Sequence, residues 1–191
     1  MSSGYTVIFD ACVLYPAPLR SFLMYLAAGG QFRARWTEDI HEEWIRNVLL
    51  NRTELNLAQL QRVRALMDRH VPDALVTGYQ SLTDSIRGLP DKDDRHVVAA
   101  AIVARAEGIV TFNLKDFPDD VLATWNLRAI HPDSFITDLT ELDITLVLDA
   151  ARRQRASLKS PPFTPDEFLD CLLRQQLPET VSRLRPLTAL I

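Results

Sequence analysis

LPDKDDRHVVAAAIVARAEGIVTF, residues 89–112, decides the fold. Asp91, Asp93 and Asp94 crowd the turn after Pro90. An apolar, alanine-rich run follows and reads as a helix from about Asp94 to Glu107, with Gly108 as its stop. IVTF (109–112) is β-branched and aromatic and reads as a buried strand. A helix that hands the chain directly to a short apolar strand is half of a βαβ unit. The expectation is an α/β layer fold with a parallel sheet.

The flanking sequence repeats this alternation. YTVIF (5–9) reads as a strand buried on both faces, ended by Asp10. Pro16 and Pro18 precede SFLMYLAA (21–28), an apolar helix closed by Gly29 and Gly30. FRARW (32–36) is a short candidate parallel strand. Thr37 caps a helix over TEDIHEEWIRNVLL, with Glu38 and Asp39 in its first turn and Ile40, Trp44 and Val48 along one side. A second amphipathic helix covers 55–71. DALVTGYQSLTDSIRG (73–88) reads either as a strand at ALV or as a helix through 79–86, and the helix is the more natural of the two. NLKDFPDD (113–120) is a loop into a short helix, 119–125. LRAI (127–130) is a strand, and Asp133 caps a small helix, 134–139. From 141 onward only helical patterns remain, broken by Ser160-Pro161-Pro162 and Pro178. The expected organisation is a core over 1–140 and a helical C-terminal extension over 141–191 packed on it.

Composition bounds the function. The chain has 191 residues, 47% hydrophobic and 24% charged, with formal charge -4 and a pI of about 5.6. No bulk basic footprint for nucleic acid exists, although a local patch or a bound metal can hold a phosphate. The two cysteines, Cys12 and Cys171, form neither a disulfide framework nor a zinc motif. A reducing, cytoplasmic setting is expected, with no membrane-spanning segment.

In parallel α/β sheets ligands gather at the carboxyl ends of the strands. Asp10 follows the first strand there, and Asn113 and Asp116 follow the strand at 109–112. Asp94 opens the helix before that strand, and Glu43 lies in the helix after the second one. Carboxylates that converge repel one another unless a cation joins them. Magnesium or manganese suits oxygen ligands, and metal-assisted phosphodiester hydrolysis is the chemistry such a set supports. Each acid also has a plain reading. Asp91 or Asp93 caps the helix, Asp94 complements the helix dipole, and Glu43, beside Glu42, is a solvated helix residue. Asp10 is the hardest to dismiss, because it interrupts an otherwise buried run.

With these residues placed, the sequence resembles the PIN-domain family, and within it the VapC-like toxin ribonucleases. The likeness covers about residues 5–140 and is carried by VIFDACVLYP, TEDIHEEWIRNVL and DKDDRHVVAAAIVARAEGIVTFNLKDFP in that order. It implies a PIN-like three-layer α/β/α fold with a short parallel central sheet. By position, the family's metal-binding acids fall on Asp10, Glu43 and Asp94. In the fourth region Asn113 stands where many relatives have an aspartate, and Asp116 completes the set. Thr111 either hydrogen-bonds an acid or a water, or is an ordinary strand residue. The resemblance implies a Mg2+- or Mn2+-dependent endoribonuclease, with RNA as substrate, an antitoxin protein as partner and a homodimer as assembly. Two rivals stay open. One is a non-catalytic RNA- or protein-binding module, to which the uncharged Asn113 gives room. The other is an RNA-processing or DNA nuclease outside any toxin system, which the long helical tail keeps in play.

Other residues read more plainly. His96 points away from Asp94 and suits a structural or supporting role, His131 is structural, and His41 and His70 form no zinc motif. Arg20, Arg46 and Lys115 lie where they could reach an RNA backbone. Arg152, Arg153, Arg155 and Lys159 form the one distinct basic cluster, either a solvated face or an RNA-contacting patch. Met24, Tyr25, Trp36 and Trp44 read as core, and Cys12 as a residue packed beside the first strand.

Overall fold

The structure, a computed structural model, describes residues 4–191. Strand β1 (Thr6–Phe9) is buried at every position. Asp10 then caps a single-turn helix, α1 (Ala11–Leu14), and α2 (Ala17–Ala28) follows. α2 starts earlier than expected because Pro18 lies in its first turn, where a missing N–H costs nothing. After β2 (Arg33–Arg35) come α3 (Glu38–Asn51), capped by Thr37, and α4 (Leu57–His70), opened by a reciprocal Asn56–Gln59 capping box.

Between 73 and 88 both sequence readings are partly right. Leu75 forms an isolated parallel bridge with Trp36, and the helix shrinks to α5 (Gln80–Thr83). Backbone bonds from Trp36 N–H to the Ala74 carbonyl and from Val76 N–H to the Trp36 carbonyl hold the bridge.

Helix α6 (Arg95–Val103) ends sooner than expected. Its stop is Arg105, at φ 51°, not Gly108. The Ala106 N–H bonds to the Ala101 carbonyl and the Arg105 N–H to the Ile102 carbonyl, a paired closure that normally uses glycine. Gly108 therefore belongs to β3 (Gly108–Val110), which leaves Thr111 and Phe112 beyond the strand rather than in it. A 3-10 turn (Leu114–Asp116), α7 (Asp119–Ala123) and β4 (Arg128–Ile130) complete the sheet region.

The sheet has four parallel strands in the order β2-β1-β3-β4. The chain leaves β1 toward β2 and returns on the other side as β3, so the strand order switches between β1 and β3. Crevices at such switch points, beyond the carboxyl ends of the strands, are where α/β sheets bind ligands. α6 packs against both β1 and β3. Its buried face, Val97 to Ala101, is mostly alanine and lets it approach the sheet closely. Phe9, Phe32 and Phe135 meet edge to face beneath the sheet, with Phe32 and Phe135 ring centroids 4.9 Å apart.

The chain beyond 141 is helical, as expected. α8 (Pro132–Leu142) leads into it, and α9 (Ile144–Ser157), α10 (Pro165–Arg174) and α11 (Pro178–Leu184) follow with a closing 3-10 turn. The cap of α8 is His131, whose ring accepts from the Asp133 N–H, not Asp133. Asp133 turns away and is buried. Its two carboxylate oxygens accept the Thr180 and Glu179 N–H groups at 2.8 Å each, which ties α8 to the start of α11. α9 packs along α2, Phe168 meets Phe22 edge to face, and Gln154 donates to the Pro18 carbonyl. The basic cluster is not one surface. Arg155 is spent on the Ile191 and Phe163 carbonyls, and Arg152 and Arg153 both pair with Asp149.

Candidate functional site

The switch point is lined by Asp10. Its own N–H bonds to the Val110 carbonyl, which continues the β1–β3 ladder by one step. The residue is 4% exposed. One oxygen, Oδ1, accepts the Ala11 N–H at 2.7 Å. The other, Oδ2, accepts the Thr111 hydroxyl at 2.7 Å and the Cys12 thiol at 3.0 Å. Burial pushes the Asp10 carboxyl above its usual range, the bonds from Cys12, Thr111 and Ala11 pull it back, and the charge of Glu43 pushes it up again.

Asp94 occupies the cap position of α6 but makes no capping bond, so the helix does not use its carboxylate. It is half-buried, and its carboxyl is pushed up to about 7, first by desolvation and then by the charges of Asp10, Asp91, Asp116 and Glu43. That sequence of repulsions places four other acids within electrostatic reach of one carboxylate. Asp91 is occupied locally, accepting the Asp93 N–H at 2.8 Å. It closes the turn, and no side chain caps α6; the sequence reading of Asp91 or Asp93 as the cap is corrected accordingly.

Glu43 faces the same edge from α3, with His96 Nε2 3.7 Å from its carboxylate. Burial works against charge on His96, but Glu43, Asp39 and Asp10 outweigh it and its pKa is raised. Asp116 ends the 3-10 turn, where its N–H bonds to the Asn113 carbonyl. Asn113 is exposed, and its N–H is held by the Thr111 hydroxyl at 3.0 Å. Thr111 is fully buried, and its side chain links the loop to Asp10.

Among the described residues, no three His, Cys, Asp or Glu side chains are gathered tightly enough to clasp an ion as they stand. The donor set nevertheless fits a hard divalent cation. It is all oxygen and is crowded with like charge, and magnesium is ordinarily held by one or two carboxylates together with water and substrate phosphate.

Two sequence readings change. Arg20 does not face the edge. It is buried, donates to the Leu14 and Tyr15 carbonyls and lies over the Trp44 ring at 4.5 Å, and desolvation lowers its pKa to about 10. Cys12 does more than pack beside β1, since it is bonded to the acid itself. The clasp behind the edge has no local sequence signal. His41 is fully buried, accepts from Trp44 Nε1 at 3.0 Å and lies 3.0 Å from Asp68, which also accepts from Trp36. This pins α3, and with it Glu43, to α4.

Comparison with known proteins bears on the family. A sequence model described as "PIN domain" matches residues 6–115, and one described as "VapC50 C-terminal domain" matches 132–186. A curated protein of Mycobacterium tuberculosis (strain ATCC 25618 / H37Rv), described as "Putative ribonuclease VapC50", is 38% identical over 120 residues, 61% of this chain and 69% of that protein. No solved structure shows a significant match. No helix among the described residues is long and apolar enough to cross a membrane.

Proposed function

The chain belongs to the PIN-domain family and is homologous to VapC-like proteins, and on that premise we propose that it is a Mg2+- or Mn2+-dependent endoribonuclease, the toxin of a toxin–antitoxin pair. The observation that carries this reading is Asp94, a carboxylate unused by its helix and pushed up to about 7 beside Asp10, Asp116 and Glu43. In this proposal Asp10, Asp94 and Asp116 hold the ion directly or through water, and Glu43 orients the attacking water or a second ion. A bound divalent ion would neutralise the acids, polarise the phosphodiester and lower the pKa of the attacking water. Asp10 is held rigid by Ala11, Thr111 and Cys12, which presets its orientation. Asn113, in the loop tied to Thr111, offers an amide to a water or a phosphate oxygen without adding charge. Residues 1–140 form the nuclease part and 141–191 the appended part. RNA, an antitoxin and a second copy of the chain are the proposed partners, in a cytoplasmic setting.

The rival is a PIN-fold module that binds RNA or protein without cutting. The uncharged Asn113 and the open spacing of the acids favour it. One assay separates the two. Purified protein stripped with a chelator should leave RNA intact, and added manganese should restore cleavage. Cleavage that survives chelation, or RNA that stays intact with manganese present, rejects the nuclease reading.

A further inference from the structure

Two hydrogen-bonded threads join the Asp10 carboxylate to the loop after β3. In the first, the Asn113 N–H donates to the Thr111 hydroxyl, which donates to Asp10 Oδ2. In the second, the Phe112 N–H donates to Cys12 Sγ at 3.3 Å, and the thiol donates to the same Oδ2 at 3.0 Å. Cys12 and Thr111 are also in contact with each other, at 3.3 Å. Thr111 has one hydroxyl proton, which goes to Asp10, so the thiol proton is the one left to fill the second lone pair of Oδ2. Oδ1 has accepted only the Ala11 N–H and keeps a lone pair.

We propose that Cys12 is a positioning residue: with Thr111 it saturates Oδ2 of Asp10, so that Oδ1 is the oxygen offered to a cation, and it locks Asp10 to the loop that carries Asn113 and Asp116. The proposal rests on the metal-dependent reading above. Cys12 is not a nucleophile here. Burial, and then the charge of Asp10, hold its thiol far above the range in which a thiolate forms, and its proton is committed to the carboxylate. Its contribution is direction. Groups that orient a metal ligand typically change metal affinity by about ten- to a hundredfold when removed. Serine at position 12 keeps a donor and an acceptor, although its oxygen reaches less far than sulfur. Alanine and valine keep neither, and leave the Phe112 N–H and one lone pair of Oδ2 without partners.

The test is calorimetric titration of manganese into the wild type and into the Cys12→Ala, Cys12→Val and Cys12→Ser variants, with a urea midpoint for each. Ala and Val are expected to weaken manganese binding about tenfold, with Ser within about threefold of wild type. Val fills the site if Ala fails to fold. Affinities that are equal across the folded variants overturn the assignment, and so does a Ser variant as weak as Val. A purely structural role would lower the urea midpoints and leave the affinity of the folded protein unchanged, which also overturns it. Wild-type protein that binds no manganese rejects the metal-dependent reading itself, an outcome distinct from loss or retention among the variants.

Discussion

Asp10 and Asp133 are both buried aspartates that lie just past the ends of parallel strands, and they do opposite work. Asp133 is 5% exposed and gives each oxygen to a backbone N–H of α11. Its charge completes a helix terminus and fastens the extension. Asp10 is 4% exposed, receives one backbone N–H and two side-chain donors, and sits among Glu43 and Asp94 with its carboxyl raised. Burial is common to both and marks nothing by itself. The distinction lies in the neighbours: donors alone make a structural anchor, and further acids that raise one another mark a candidate functional site.

Substitution at the two positions should separate most sharply. On the proposed metal-dependent mechanism, Asp10→Asn is expected to lower RNA cleavage on the order of a thousandfold, because an ion held there would supply several kcal/mol of charge stabilisation in the transition state; initial rates in manganese read this directly. Asp133→Ala leaves the buried Thr180 N–H and the part-buried Glu179 N–H unpaired and is expected to cost about 2 kcal/mol of stability in urea unfolding, with the cleavage rate per folded molecule unchanged. A stability loss at Asp10→Asn with full activity would erase the contrast.

A smaller effect tests the crowding. The folded-state pKa of Asp94 is raised to about 7 from an ordinary 3.8. Between these values the folded state binds more protons than the unfolded one, so stability without metal should fall as pH rises from about 4 to about 7 and then level off. The melting temperature of chelated wild type should therefore be lower at about pH 7.5 than at about pH 5.5, and Asp94→Asn should flatten that difference. Manganese affinity should rise through the same window as the proton leaves. The smallest expected effect is at Asp91, whose carboxylate is exposed and closes a turn. Asp91→Ala removes a turn contact and one of the charges that raise Asp94 but no proposed ligand, so it should change cleavage less than about threefold, whereas Asp94→Ala should remove most of it. Equal losses at Asp91 and Asp94 would dissolve the division between them.

These contrasts were legible in the sequence only where they are local. β1, the Thr37-capped α3 and the run from α6 to β3 announce themselves by periodicity, capping residues and β-branched content, and they place Asp10, Glu43 and Asp94 on one sheet edge. The stop at Arg105 was not legible, because the left-handed residue that closes α6 is usually glycine and one stood three positions on. The role of Asp133 depends on Glu179 and Thr180, 46 and 47 residues away. The bond of Thr111 to Asp10 spans 101 positions, and the contact of Cys12 with Thr111 spans 99. Arg20 looked available from its charge and was claimed by two carbonyls and the Trp44 ring. Pattern reading sees charge and period; it does not see which distant donor arrives to satisfy a buried group.

Manganese binding, followed by calorimetry on wild type, Asp10→Asn and Asp133→Asn at about pH 7.5, tests the central contrast most directly. Wild type and Asp133→Asn should bind the ion alike, with Asp10→Asn weaker by at least about tenfold. Binding by Asp10→Asn as tight as that of the wild type would contradict the account, because the buried acid at the end of β1 would then be as structural as its counterpart beyond β4.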